Sequence, residues 1–243
     1  MKLKCLGSGS SGNCYLLIAS NGETLIIDPG IPIKEIKKAL NWNVSCVVGA
    51  VCTHHHTDHA KSVKDLEQMG IPVLKPYESS KKISVDGAGW AIQYFELTDK
   101  NRRFMHTNTD GSECPCYGFL ISHPEMGRLL YITDTELIKW RFYDIHQILV
   151  EANYSKKIIQ EDDPNYEHVC RGHMELETTL EFLKVNKSMD LRNVVLLHLS
   201  DDNSDAEMFA ARAKEVVGTQ SGSRRNEAKG RHQSKADEKC SVG

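Results

Sequence analysis

The stretch CVVGAVC at 46–52 followed by THHHTDHA at 53–60 decides how this chain is read: an apolar run passes directly into five ionisable side chains within eight positions. A short apolar run bounded in this way reads as a buried strand whose end delivers polar groups to one place. A solvated surface loop tolerates such a segment but has no need of it. Crowding imidazoles and a carboxylate at the end of a buried strand is costly unless a cation or a hydrogen-bond partner compensates them. The positions His54, His56, Asp58 and His59 spell H-x-H-x-D-H. Read as an extended turn, alternate residues share a direction, so His54 and His56 face one cation while the Asp58-His59 step turns toward a second. Imidazole and carboxylate are donors that suit zinc, manganese or iron. His55 points the other way and reads as a bystander.

Four residues do not complete two metal shells, so further ligands are expected at the carboxyl ends of other strands, where one sheet edge converges. RLLYITDT at 128–135 ends in Asp134, placed to bridge two cations, and NVVLLHLSDD at 193–202 carries His198. FMHTNTD at 104–110 offers His106 after the run AIQYFEL. Taken singly, these read as a turn or cap aspartate, a core histidine and a loop histidine. Beside the H-x-H-x-D-H loop they read as ligands.

Composition is consistent with an ordinary globular protein: 243 residues, 40% of them apolar, suffice for one large domain or two small ones. The net charge of -3 leaves no whole-molecule basic field, so any attraction to nucleic acid must come from a local patch. No N-terminal apolar segment and no run near the roughly 20 residues of a membrane span is visible, so no membrane partner is expected and the cytoplasm is the expected location. The eight cysteines are scattered without a CxxC pair and read as reduced thiols. Cys114-Pro115-Cys116, with one intervening residue and no second pair, reads as a structural loop rather than a metal knuckle.

Strand-like runs occur at 13–19, 24–28, 46–52, 91–97, 117–122, 128–133, 147–152 and 193–198, each short and bounded by turn formers. Helical spacing is found at 33–40, 60–69, 175–185 and 205–217. The mixture predicts an α/β layered fold with early hairpins and later helices. No internal repeat is visible. A domain over 1–217 is expected, followed by a polar tail at 218–243 that lacks large apolar periodicity and reads as disordered and solvated.

The chain resembles the metallo-β-lactamase-fold hydrolases, and within them the YycJ/WalJ branch. The resemblance is carried by GSGSSGNCYLL at 7–17, LIIDPG at 25–30, THHHTDH at 53–59, ITDT at 132–135, RGHMELETTLEFL at 171–183 and VVLLHLS at 194–200. It implies a four-layer αβ/βα sandwich with a site for two divalent metal ions, zinc or manganese, at the edge between two sheets. One ion would be held by His54, His56 and His106, the other by Asp58, His59 and His198, with Asp134 bridging. The family often has an aspartate directly after the third histidine, where this sequence has Thr107-Asn108. It also usually ends in a further strand, where this chain has its polar tail.

Supporting residues are expected around this set. Asp28, closing TLIID, is placed to accept hydrogen bonds from the backbone or from a histidine of the loop. The Gly-Ser-rich stretch at 7–12, with Ser10, reads either as an anion cradle or as a tight hairpin turn, and Asn13 stands at its strand end. His173 precedes the helix near Glu175, where the resemblance implies contact with a scissile phosphate or protonation of a leaving group. His168 is the weaker alternative. His123 reads as an exposed turn residue and Glu151 as a support at the same edge. The reading is a metal-dependent phosphodiesterase, foremost a DNA exonuclease, with Asp58 and His173 as catalytic groups and nucleic acid or a small phosphodiester as partner. The runner-up is a hydrolase of a thioester, lactone or cyclic phosphate, and a third reading is a metal-binding module without activity.

Overall fold

A computed structural model describes residues 1–78, 89–97, 106–108, 112–163 and 166–218. The expected tail at 218–243 lies outside them except for Gly218. The first sheet holds β1 (Lys2–Gly7), β2 (Cys14–Ile18), β3 (Thr24–Ile27), β4 (Val47–Val51) and β5 (Val73–Leu74), in that order. The second holds β6 (Ala91–Glu96), β7 (Tyr117–His123), β8 (Gly127–Ile132), β9 (Gln147–Glu151) and β10 (Asn193–Leu197), also in sequence order.

Both sheets begin with two antiparallel pairings and finish with two parallel ones. The halves of the chain thus repeat one topology, which the residue pattern does not reveal because the repeat lies in the hydrogen bonding. Parallel pairing requires crossovers. In the first half these carry α1 (Ile33–Ala39), α2 (Thr57–Ala60) and α3 (Val63–Gln68). In the second half, α4 (Tyr166–Cys170) and α5 (Leu176–Asn186) precede β10, and α6 (Ala206–Val217) follows it.

Strand periodicity builds the layers. Tyr15, Leu17, Leu25, Ile27 and Val51 of the first sheet meet Phe119, Ile121, Tyr131, Leu149 and Leu197 of the second in one core. Their neighbours along the strands face outward: Leu16 and Ile26 pack with Ile36 and Leu66, whereas Leu130 and Val150 pack with Leu180 and Phe209. The result is helix, sheet, sheet, helix, the αβ/βα sandwich. The inner strands are buried on both faces, which is why they read as continuous apolar runs rather than as alternation.

Five features differ from the sequence reading. β1 is not among the expected strands because Lys2 and Lys4 interrupt its apolar run, as suits an edge strand. β5 is only two residues long, and α4 was likewise not expected. The segment read as one helix over 60–69 is broken into α2 and α3. His123 is buried rather than exposed: it ends β7, stacks 4.6 Å from Trp90 and accepts a hydrogen bond from the Glu125 backbone. His168 lies on α4, within Tyr166–Cys170.

Candidate metal centre

Strands of both sheets end at one shared edge. Asp28 follows β3, the histidine segment follows β4, Asp134 follows β8, Glu151 ends β9 and His198 follows β10. Three of these residues, Asp28, Asp134 and His198, have φ of 47°, 52° and 53°. For residues with a Cβ this left-handed region is disfavoured, and its use at a strand end turns the side chain away from the direction the sheet would give it.

The histidine segment is not an extended turn. Thr57–Ala60 winds into one helical turn, with His59 and Ala60 N–H both donating to the His56 carbonyl. That turn, rather than a break in strand alternation, separates the direction of Asp58 and His59 from that of His54 and His56. It is seated by Asn13, whose N–H donates to the Asp58 carbonyl at 2.7 Å. Gly30 passes so close below that a Cβ there would stand 1.7 Å from the Asp58 carbonyl oxygen.

The structure brings together His54, His56 and His106, whose donor atoms all lie within 4.8 Å of one another. His106 Nε2 is 3.0 Å from His56 Nδ1. His106 is presented by a short turn in which Cys114 N–H donates to the His106 carbonyl and Asn108 N–H to the Ser112 carbonyl. Asn108 Oδ1 in turn sits 2.8 Å from His56 Nε2, so an amide two positions after His106 steers the ring.

The other expected set is arranged less tightly. His59 Nε2 lies 3.1 Å from Asp134 and 3.4 Å from Asp58, while His198 Nδ1 is 3.3 Å from Asp134. Asp134 therefore stands between the two imidazoles, whose ring centres are 5.9 Å apart. Asp58 is half-buried and approaches from the rim, outside the compact groups. The compact groups on this side are His54, His59 and Asp134, and Asp134, Glu151, His173 and His198.

Glu151 occupies a more central place than the sequence suggested. It is fully buried, with Oε1 2.8 Å from His173 Nδ1 and 3.1 Å from His198 Nδ1. Its other oxygen accepts from the backbones of Thr135 and Met174, both at 3.3 Å. The signal was available in QILVEA, an acidic residue closing a buried run as Asp28 and Asp134 do. Ser10 lines the cleft over the cluster. In its loop, Gly9 and Gly12 N–H are bonded to Asn13 Oδ1 and to the Gly9 carbonyl, which makes a tight turn of that part of the stretch.

Asp28 accepts four kinds of donor: Thr53 N–H at 2.8 Å, the Thr53 hydroxyl, the Tyr131 hydroxyl at 2.6 Å and His59 Nδ1 at 2.9 Å. A carboxylate on Nδ1 fixes the His59 tautomer and leaves Nε2 for the centre. Thr53 Oγ1, 3.0 Å from His54 Nδ1, does the same for His54. Thr53, Tyr131 and Ser8, whose hydroxyl receives both the Tyr15 hydroxyl and the His198 N–H, carried no sequence signal because isolated hydroxyls in strands are common.

The electrostatics are those of a cation site. Burial lowers the pKa of His54 and His106. Burial would also lower His59 and His198, but Asp134 outweighs it, helped by Asp28 at His59, where the value lies well above normal, and by Glu151 at His198, where it rises to about 10. Burial would raise Asp134, yet His198 and His59 hold it well below the carboxylate range. His54 Nε2, His106 Nδ1 and His198 Nδ1 are buried without an aligned hydrogen bond, although His198 Nδ1 is close to two carboxylates. Buried polar atoms ordinarily find partners. Imidazole nitrogens left open at one point, with carboxylates between them, are the donor set that a divalent cation satisfies.

A cleft of about 470 Å³ opens over the cluster, lined by His56, Asp58, His106, Asp134, His173 and His198 among others. It shares Ser10, His173 and His198 with a cavity of about 400 Å³ on one side, and His55 and Thr57 with one of about 550 Å³ on the other. The last carries Lys61, Lys64 and Lys75, with Lys75 ion-paired to Glu67 and Glu78.

Two facing mixed sheets, outer helices and a histidine–carboxylate cluster at their common edge define a metal-binding αβ/βα sandwich. Residues 7–145 match the model of the metallo-β-lactamase superfamily, and the chain belongs to that superfamily. A hydroxyacylglutathione hydrolase of Xanthomonas campestris pv. campestris is 33% identical over 79 residues, 32% of this chain and 29% of that protein. The cytoplasmic isozyme of Saccharomyces cerevisiae is 28% identical over 114 residues, 45% of this chain and 40% of that protein. The chain thus spans less than half the length of these curated relatives. Among solved structures, the metallo-β-lactamase fold protein YhfI of Bacillus subtilis superposes with a TM-score of 0.58 at 14% identity, covering 88% of this chain and 92% of that one. Unliganded yeast PDE1 gives 0.54 at 11% identity over 82% and 88%, and the short form of human tRNase Z 0.51 at 15% over 83% and 93%. At such identities these likenesses establish the fold.

Proposed function

We propose that this chain is a metal-dependent phosphodiesterase of the YycJ/WalJ-like branch, acting on nucleic acid and foremost as a DNA exonuclease. His54, His56 and His106 would hold one divalent ion and Asp58, His59 and His198 the other, with Asp134 between them and zinc or manganese as the metal. Such ions, when bound, supply an activated water and neutralise charge on the phosphoryl group. The residues of the chain do the rest. Asp58, held below its ordinary carboxylate value by His59 against the effect of burial, is ionised at the rim and placed to orient or accept a proton from the attacking water. Asp28 and Thr53 lock the rings of His59 and His54.

The observation that carries the reading is His173. Its Nδ1 is held by the buried carboxylate of Glu151, and the residue lines both the central cleft and the neighbouring cavity. A sugar alkoxide is a poor leaving group and needs a proton, which an imidazole at the mouth can donate. A thiolate needs none. The cleft also continues on both sides of the cluster, as a polymer requires, and one arm carries lysines for a phosphate backbone. A cytoplasmic location is part of the proposal, in line with cysteines scattered along the sequence without a CxxC pair. The second reading, a thioester hydrolase, is favoured by the sequence match to hydroxyacylglutathione hydrolases. The deciding experiment is a screen of labelled single- and double-stranded DNA, bis-p-nitrophenyl phosphate and a glutathione thioester, with manganese and zinc added separately. Metal-dependent loss of DNA ends supports the first reading; thioester hydrolysis with intact DNA replaces it with the second.

A further inference from the structure

Behind the cluster, Cys114 and Cys116 are both buried, at 0% and 1% exposure. One donor atom each from His54, Cys114 and Cys116 lie within 4.8 Å of one another, and Cys114 forms a similar group with His55 and His56. Cys114 Sγ is 3.6 Å from His55 Nδ1. The backbone that carries the two thiols is fastened on every side. Cys114 N–H donates to the His106 carbonyl, the Cys116 carbonyl accepts from Leu97, and Tyr117 N–H donates to the Thr53 carbonyl. Pro115 fixes φ between them. With tetrahedral bonds of roughly 2.0–2.3 Å to nitrogen and sulfur, donors around one zinc lie about 3.3–3.8 Å apart, so a group spread over as much as 4.8 Å closes on an ion by side-chain movements of up to about 1 Å. His54 Nε2, buried and without a hydrogen bond, is the one nitrogen of that ring open to an ion on either side, since Nδ1 is held by Thr53.

We propose that His54, Cys114 and Cys116 form a second, competing site for a thiophilic divalent cation such as cadmium or excess zinc, sharing His54 with the histidine–carboxylate centre. Soft thiolate ligands select such ions over manganese or magnesium. On binding, each thiol gives up its proton to solvent and donates a lone pair to the ion, with no change in oxidation state. An ion held there withdraws His54 from His56 and His106, so the two sites compete. Sequence spacing concealed this arrangement because the third donor comes from β4's end, some sixty residues away, and not from a second cysteine pair.

The test uses the full chain, reduced and stripped of metal, titrated with cadmium chloride. A sulfur-to-cadmium charge-transfer band should grow, and cadmium X-ray absorption on the unmutated protein should count two sulfur neighbours beside nitrogen. Cys114→Ser and Cys116→Ser should each weaken the band by about half and the double variant should lose it, whereas Cys46→Ser, outside the cluster, should keep it. A nitrogen-and-oxygen-only spectrum, or a band of undiminished strength in the double serine variant, overturns the proposal. Neither readout involves hydrolysis, so the site stands or falls independently of the proposed activity.

Discussion

Under the proposed phosphodiesterase reading, replacing His173 with alanine separates proton donation from the rest of the chemistry. Its side chain is 11% exposed and sits at the cleft mouth, where water can fill the space left by the ring. Folding should therefore survive. Glu151 stays buried and keeps its contacts with the Thr135 and Met174 backbones and with His198. What is lost is a donor aimed at the leaving group, and general acid catalysis contributes about 10²–10⁴-fold. At about 1.36 kcal/mol per tenfold, kcat/KM on DNA should fall by about 2.7–5.4 kcal/mol of transition-state stabilisation. Bis-p-nitrophenyl phosphate releases a stable phenolate that needs no proton. On that substrate His173→Ala should cost less than about threefold, some 0.7 kcal/mol, the scale of one net hydrogen bond. The assay is a pair of steady-state kcat/KM measurements on the same metal-loaded preparation. Equal losses on both substrates would refute the role of leaving-group acid and make His173 a binding residue; no loss on DNA would remove it from the chemistry.

Other expectations follow from single contacts. Asp58→Ala should reduce hydrolysis of both substrates by about 10²–10⁴-fold while leaving the melting temperature nearly unchanged, because this rim carboxylate acts on the attacking water whatever the leaving group; unchanged turnover would count against it. Gly30→Ala sets a Cβ into the Asp58 carbonyl, so the denaturation midpoint should drop by the equivalent of about 3 kcal/mol or more, and a wild-type midpoint would show that the close approach is not real. Tyr131→Phe removes a buried hydroxyl from Asp28; about 1.5–3 kcal/mol of stability and about 10–100-fold in metal affinity should go with it, as urea melts and metal titration will show. In the metal-free chain His198 has its pKa raised to about 10, against about 6.5 unfolded, so its contribution to stability is complete below about pH 6.5 and fades as pH rises through about 10. Melts of metal-free protein should fall across that window, and calorimetry at neutral pH in buffers of different ionisation enthalpy should show protons leaving as metal binds.

The parts of this molecule legible in the sequence are those where burial and chemistry coincide on neighbouring residues. The inner strands β3, β4, β8 and β9, and β10 at the edge of the second sheet, show as apolar runs because both faces are covered, and the polar residue that stops each run marks the site. The edge strands of the first sheet are another matter: β1 carries Lys2 and Lys4, and β5 is too short to have a period. His123 illustrates a different failure. A histidine beside Pro124 reads as a turn, and only the tertiary contact with Trp90 shows that the ring is buried. The same logic hid the weight of Glu151, whose partners His173 and His198 lie 22 and 47 positions away. The nearness of Cys114 and Cys116 to His54 likewise shows only in the structure.

The strained backbone at Asp28, Asp134 and His198 ties the fold to the site. A strand that ended normally would send its last side chain into either the inter-sheet core or the helix layer, where a charge has no partner. A left-handed residue at the strand end swings the polar group along the sheet edge instead. Each such turn costs of order 1–3 kcal/mol and persists only if its surroundings enforce it. The enforcement is visible. Asp28 is held by Tyr131 from the opposite sheet and by Thr53, while the His198 N–H is held from the opposite sheet by Ser8, whose hydroxyl also receives that of Tyr15 in the same hairpin. Tyr15 and Tyr131 touch edge to face at 5.7 Å. The two sheets are thus clamped together at the point where their strained ends converge, and the packing of the sandwich is what holds the charged residues in place before any ion arrives. Loosening the tyrosine pair should therefore weaken the centre even though neither ring faces it.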